Sequence, residues 1–172
     1  ALHRVMSPPV FPIDVTTVRG QWNVHSLAPG THRIEGFTVT ALDIPHKGGR
    51  SYGYRIEDER SSVAYLSDHS PSSYGPGPDG VGEYHETACE LASQTDLLIH
   101  DSQYTREEFA ERHDWGHCSY QYPIELARAC GVKHTLLFHH DPGHRDTQID
   151  EMAATVRDRD IEFACEGSAF DI

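Results

Sequence analysis

Long apolar runs are missing from this 172-residue sequence, and none approaches the roughly 18 residues that a membrane-spanning helix needs, so no membrane association is expected. Paired cysteines are missing too. Cys89, Cys118, Cys130 and Cys165 are widely spaced and form no C-x-x-C, which argues against a zinc ribbon or a redox dithiol and points to a reduced, cytoplasmic setting. Positive charge is scarce: 14 Lys and Arg stand against 27 Asp and Glu, a formal net charge of -13. That balance opposes attraction to a phosphate backbone, so stable nucleic-acid binding is not expected. Bound multivalent cations would invert the local sign, which leaves room for a small phosphate-containing substrate. The opening stretch ALHRVMSPPVFPID has neither an initiator methionine nor an apolar core followed by a cleavage site, and reads as a trimmed or truncated start rather than a leader.

What is present is a 37% hydrophobic chain in which strand-like and helix-like patterns alternate, the signature of an α/β domain. GFTVTALDIP (36–45), SYGYRIE (51–57) and SVAYLSD (62–68) are rich in β-branched and aromatic residues and predict neighbouring strands. The Pro, Gly and Ser content of 70–80 predicts a loop, EYHETACELASQ a helix, and DLLIHD (96–101) a short buried strand. Thr105 and Glu108 form a capping box for a helix that ends before Trp115 and Gly116; Pro123 and Gly131 bracket PIELARAC as another. VKHTLLFHH is a strand ending in histidines. In the last helix Asp146 is placed to cap, with Ile149, Met152, Ala153 and Val156 on one face, before a short strand IEFAC.

Against this frame several metal-ligating residue types fall where strands stop: His46 after TALDIP, Asp68 after SVAYLS, Asp101 after DLLIH, and His139 and His140 after TLLF. Strand ends are rigid anchors at one sheet edge, and loops leaving that edge can converge on one point. Imidazole and carboxylate together suit zinc, manganese or iron. Each residue also has a plainer role open to it. His46 and Asp68 can belong to turns, and His139 and His140 point to opposite faces, so at most one is a ligand. With 13 histidines in the chain, His134 and His144 are assigned no role, and His100 is expected to pack away from the site.

IPHKGGRSYGYRIED, SVAYLSDHSP, DLLIHDSQYT, WGHCS and TLLFHHDP, in unbroken order over residues 36 to 145, resemble the second half of the metallo-β-lactamase superfamily, in its ribonuclease Z-like and phosphodiesterase-like branch. The resemblance implies a mixed β-sheet with flanking helices, half of a four-layer αββα sandwich. It makes His46 and His139 terminal ligands to two divalent metal ions, most simply zinc, and Asp68 the carboxylate bridging them; His139 is favoured over His140 because it directly follows the apolar run. It also makes His117 a catalytic histidine and places Asp101 where relatives carry a Glu. Asp101 would hold one ring nitrogen of His117 so that the other gives a proton to a leaving alkoxide; capping of the next helix is the competing role for His117. The family's H-x-H-x-D-H cluster is absent from the sequence. Residues 1–172 are therefore expected to be the C-terminal part of a single domain.

The function expected is metal-dependent hydrolysis of a small phosphodiester by a metal-activated water. The tight turn between Arg55 and Asp68, without a basic insertion, favours a low-molecular-weight substrate over transfer RNA. Two alternatives remain. One keeps the fold but cleaves a thioester, lactone or lactam; in the other, this chain is a non-catalytic half that pairs with a second copy through an exposed apolar face.

Overall fold

The computed structural model describes residues 25–49, 51–77 and 79–172, with positions 7–9, 12, 13, 17 and 20 before them; most of the proline-rich opening stretch lies outside the described residues. Among the described residues seven strands, β1 (Gly30–Ile34), β2 (Phe37–Ile44), β3 (Ser51–Glu57), β4 (Ser62–Leu66), β5 (Leu97–Asp101), β6 (His134–Phe138) and β7 (Ile161–Phe163), form one sheet in sequence order. The first four are antiparallel neighbours, whereas β4 to β7 run parallel. Parallel neighbours need crossovers. These are helix α1 (Glu86–Ala92) after β4, α2 (Arg106–Arg112) and α3 (Gln121–Cys130) after β5, and α4 (Asp146–Thr155) after β6.

Alternation along the strands sorts the sheet into two faces. Ala64, Leu66 and Leu98 turn to one face, where Ala88 and Leu91 of α1 and Tyr122 and Leu126 of α3 bury them. Leu137 and Ile161 turn the same way and meet Met152 of α4. The approach of α1 is close enough that a side chain at Gly53 would put its Cβ 2.6 Å from Leu91 Cδ1. On the other face Ile34, Phe37, Ile56 and Phe138 stand 37–44% exposed. The result is a mixed α/β layer pair with one apolar sheet face open. Among the described residues no helix is long and apolar enough to cross a membrane.

Two details differ from the sequence reading. Strand β1 was not anticipated, because GTHRI carries no apolar alternation; it is held by its full ladder to β2 and by the Thr31–Thr40 hydroxyl pair at 3.1 Å. In α4 the capping position is Arg145, whose backbone N–H donates to Gln148 Oε1 at 3.0 Å. Asp146 sits inside the first turn, where its charge favours the helix dipole. The capping box of α2 is present, with Thr105 N–H on Glu108 Oε2 at 2.8 Å and Glu108 N–H on Thr105 Oγ1 at 3.2 Å.

Strand direction decides where the loops gather. β2 is antiparallel to β3, which is antiparallel to β4, so β2 runs the same way as β4, β5 and β6. All four end on one edge. A 2.7 Å bond from Ser70 N–H to Pro45 O ties the loop after β4 to the loop after β2 at that edge.

Candidate metal centre

Asp68, His117 and His139 each offer a ligand atom, and the three atoms lie within 4.8 Å of one another. Asp68 lies two residues beyond β4 and His139 one beyond β6, and both adopt a left-handed backbone, with φ of 53° and 61°. Such conformations cost on the order of 1–3 kcal/mol and persist only where the surroundings enforce them. The surroundings here are Ser67 and Asp101. The Ser67 hydroxyl donates to Asp68 Oδ2 at 3.1 Å, which leaves its oxygen to accept from His139 Nδ1 at 2.8 Å. His139 Nδ1 also stands 3.9 Å from both Asp68 Oδ2 and Asp101 Oδ2.

Asp101, the last residue of β5, is fully buried. A buried carboxylate demands partners. It accepts from the backbone N–H groups of His69 and Gln103 at 3.3 Å and of Cys118 at 3.4 Å, and from His117 Nδ1 at 2.6 Å. His117 is held in opposite directions by its surroundings. Burial disfavours its charged form, but the hydrogen bond and charge of Asp101, with further help from Asp68 and Asp141, outweigh this and raise its pKa above the ordinary imidazole value. Its Nδ1 is spent on Asp101, so it caps no helix, and no side-chain hydrogen bond caps α3.

His46 stands beside the trio. Its ring lies 5.4 Å from that of His117, which lies 5.0 Å from that of His139. Its Nδ1 bonds Gly116 O at 2.8 Å, and a carbonyl only accepts, so Nδ1 carries the proton and Nε2 keeps its lone pair. Gly116 is needed for this approach: its φ is +107°, and a Cβ there would lie 2.9 Å from His46 Cε1.

Of the sequence-predicted residues, the structure brings Asp68, Asp101, His117 and His139 into one cluster with His46 at its rim. His140 is turned elsewhere, stacked on Phe163 at 5.5 Å. All three histidines of the cluster commit Nδ1 to an oxygen, of Gly116, Asp101 or Ser67, which leaves Nε2 to act. Metal-binding histidines share that arrangement, the second nitrogen fixing ring orientation. Imidazole nitrogens around a carboxylate are a donor set for zinc, manganese or iron, so the residues present fit divalent cations. Sequence reading missed Ser67 and Gly116. The W-G-H run is a local cue for the glycine; nothing local marks Ser67. An open cavity of about 470 Å³, lined by His46, Gly49, Ser73 and Tyr74 among others, borders the cluster.

Residues 4–140 match the family described as the beta-lactamase superfamily domain. Over 101 residues the chain is 31% identical to a ribonuclease Z of Ignicoccus hospitalis, covering 57% of this chain and 29% of that protein. The crystal structure of the metallo-beta-lactamase fold protein YhfI from Bacillus subtilis superposes with a TM-score of 0.60 at 20% identity, over 81% of this chain and 52% of that one. A diphosphatase from the PhnP family superposes with a TM-score of 0.59 at 20% identity, over 84% and 46%. At this identity the structural likeness is one of fold. The chain spans less than a third of the ribonuclease Z and about half of each solved structure.

Proposed function

Since the chain belongs to the beta-lactamase superfamily domain family, we propose that it is the C-terminal part of a binuclear metal-dependent hydrolase that cleaves a small phosphodiester. The observation that carries this reading is the 2.6 Å bond between His117 Nδ1 and Asp101 Oδ2 beside the Asp68–His139 cluster. His46, Asp68 and His139 would hold the cations, with Asp68 between the two. When bound, two such ions lower the pKa of a shared water and polarise a phosphoryl oxygen. His117, with Nδ1 held by Asp101, carries a proton on Nε2 and gives it to the departing alkoxide. Asp101, buried and tied to three backbone N–H groups, fixes the tautomer and orientation of that ring.

The donor favours a phosphodiester over a thioester, because an alkoxide leaves poorly without a proton whereas a thiolate does not. Charge favours a small substrate: the chain carries a net charge of -13, which opposes a long polyanion. The open sheet face is read as the seat of the rest of the domain, including the H-x-H-x-D-H segment; pairing with a second copy through that face is the competing arrangement. A cytoplasmic setting accords with Cys89, Cys118, Cys130 and Cys165 all being free thiols.

The test uses the full-length protein reconstituted with zinc, manganese or iron. We expect metal-dependent cleavage of a cyclic nucleotide and of bis-p-nitrophenyl phosphate, and little turnover of a thioester or lactone. Thioester or lactone turnover with no attack on either diester would sink the reading.

A further inference from the structure

We propose that His69 and His100 are positioning residues which, together with His85, form a hydrogen-bonded chain fixed in one tautomeric sense that holds Asp68 and Asp101 toward the reaction centre. The inference rests on the function proposed above for Asp68 and Asp101. Its root is a pair of dipeptides, Asp68-His69 and His100-Asp101, at the ends of adjacent parallel strands. On β5 consecutive residues point to opposite sides, and beyond β4 the left-handed turn at Asp68, with φ of 53°, makes the same division. In both pairs the carboxylate faces the cluster and the imidazole faces the interior, where His69 and His100 are fully buried.

The buried rings contact one another in series. His100 Nδ1 lies 2.7 Å from Asp101 O, His100 Nε2 lies 2.8 Å from His69 Nδ1, and His69 Nε2 lies 2.6 Å from His85 Nε2. The inner end sets the direction of every bond. Asp101 O can only accept, so His100 carries its proton on Nδ1 and its Nε2 must accept. His69 therefore donates from Nδ1 and accepts at Nε2, which makes His85 donate from Nε2. The remaining nitrogen, His85 Nδ1, is left as an acceptor and takes the Ala88 N–H at 3.4 Å, while the Thr87 hydroxyl, 2.9 Å from the same nitrogen, gives its single proton to Asp43 O. Every ring nitrogen in the series has one role. The sequence of donors works only with all three rings neutral, since a second proton on any ring would set two N–H groups against each other.

Such a series can conduct protons or hold groups in place. Here it ends on a carbonyl oxygen, which has no proton to pass to the Asp101 carboxylate, so it holds. Asp101 O also accepts the Cys118 thiol at 2.9 Å, and Asp101 Oδ2 accepts the His69 backbone N–H at 3.3 Å. The two strand ends that carry the site carboxylates are thereby cross-linked behind the sheet edge, through the interior, to the first turn of α1. Loss of the His69 ring would leave His100 Nε2 and His85 Nε2–H without partners in a buried space and free the strand ends to shift.

The experiment is ring-nitrogen NMR on the zinc-loaded full-length protein near neutral pH, joined to two variants. We expect neutral rings with the proton on Nε2 of His85 and on Nδ1 of His69 and His100. His69→Leu should broaden the His117 Nδ1–H signal and lower kcat on an alkyl phosphodiester on the order of 10²-fold at nearly unchanged KM, the usual effect of a misplacement of about 1 Å. His69→Gln, whose amide both donates and accepts, should keep the signal and recover most of kcat. A different tautomer at any of the three rings, or a His69→Gln protein no better than His69→Leu, overturns the proposal. Should the wild type cleave no phosphodiester, the functional reading falls, while the tautomers and the His117 signal in His69→Gln still decide the role of the chain. If His69→Leu does not fold, those same two measurements decide it.

Discussion

Six of the histidines around the ends of β2, β4, β5 and β6 fall into two groups of three that are used in contrary ways. His46, His117 and His139 each place Nδ1 on an oxygen and leave Nε2 unspent, with Asp68 and Asp101 close by. His69, His85 and His100 spend both nitrogens, mostly on one another, against the ring of Tyr122. The carboxylates make the difference. Asp101 outweighs the burial of His117 and raises its pKa, whereas it offsets only part of the burial of His100, and His69 and His85 face imidazoles instead of an anion, so that the pKa of His85 falls to about 4. One kind of side chain thus keeps a ring nitrogen unspent on one side of a sheet edge and spends both nitrogens on the other.

The contrast can be broken from either side. Asp68→Ala should have the largest effect: metal-supported diester cleavage falls to background, and bound metal, read by elemental analysis, falls with it. A variant that keeps both would remove Asp68 from the outer group's chemistry. His117→Ala comes next. With bound metal retained, it should slow cleavage of an alkyl phosphodiester by about 10²–10⁴-fold, the ordinary worth of a general acid, but spare bis-p-nitrophenyl phosphate, whose leaving group needs no proton. Equal losses on the two substrates would move His117 from proton donor to metal ligand.

The smallest effect should appear in stability against pH. The inner histidines have pKa values in the fold below the ordinary 6.5, so between pH 6.5 and about 4 the unfolded chain binds more protons than the folded one. Stability is then fully present above pH 6.5 and declines as the pH falls through that window. His117 acts in the opposite sense, since its raised value adds stability at low pH that is lost as the pH rises through it. Three groups oppose one, so Tm should drop on acidification from pH 6.5 to 4. His85→Gln should flatten that slope; an unchanged slope would show that His85 is not neutral by virtue of the fold.

Much of the fold was legible in the chain because burial imposes period. The residues of 36–45, 51–57, 62–68, 96–101, 132–140 and 161–165 marked six strands, and the Thr105–Glu108 box marked the start of α2. Strand β1 was not legible, since an edge strand with His32 and Arg33 in it is held by backbone bonds that any side chain permits. The site was legible in the residues that end apolar runs, Asp68, Asp101 and His139, and in the W-G-H run before α3. The inner group was not. Nothing local distinguishes the histidine of Ser-Asp-His from a surface one, and His100 could be read only as packing.

By itself the sequence determined which residues stand at strand ends, because alternation and turn chemistry are local properties of neighbouring residues. It also set the available chemistry, imidazole and carboxylate in an acidic chain of low cysteine content. Only the tertiary structure decided which nitrogen of each ring is free. That depends on the running direction of β2, β4, β5 and β6, and on contacts between residues such as His46 and Gly116, or Ser67 and His139, that lie 70 and 72 positions apart. A hydrogen bond across such a distance follows from how strands are ordered in the sheet, which no window of sequence contains.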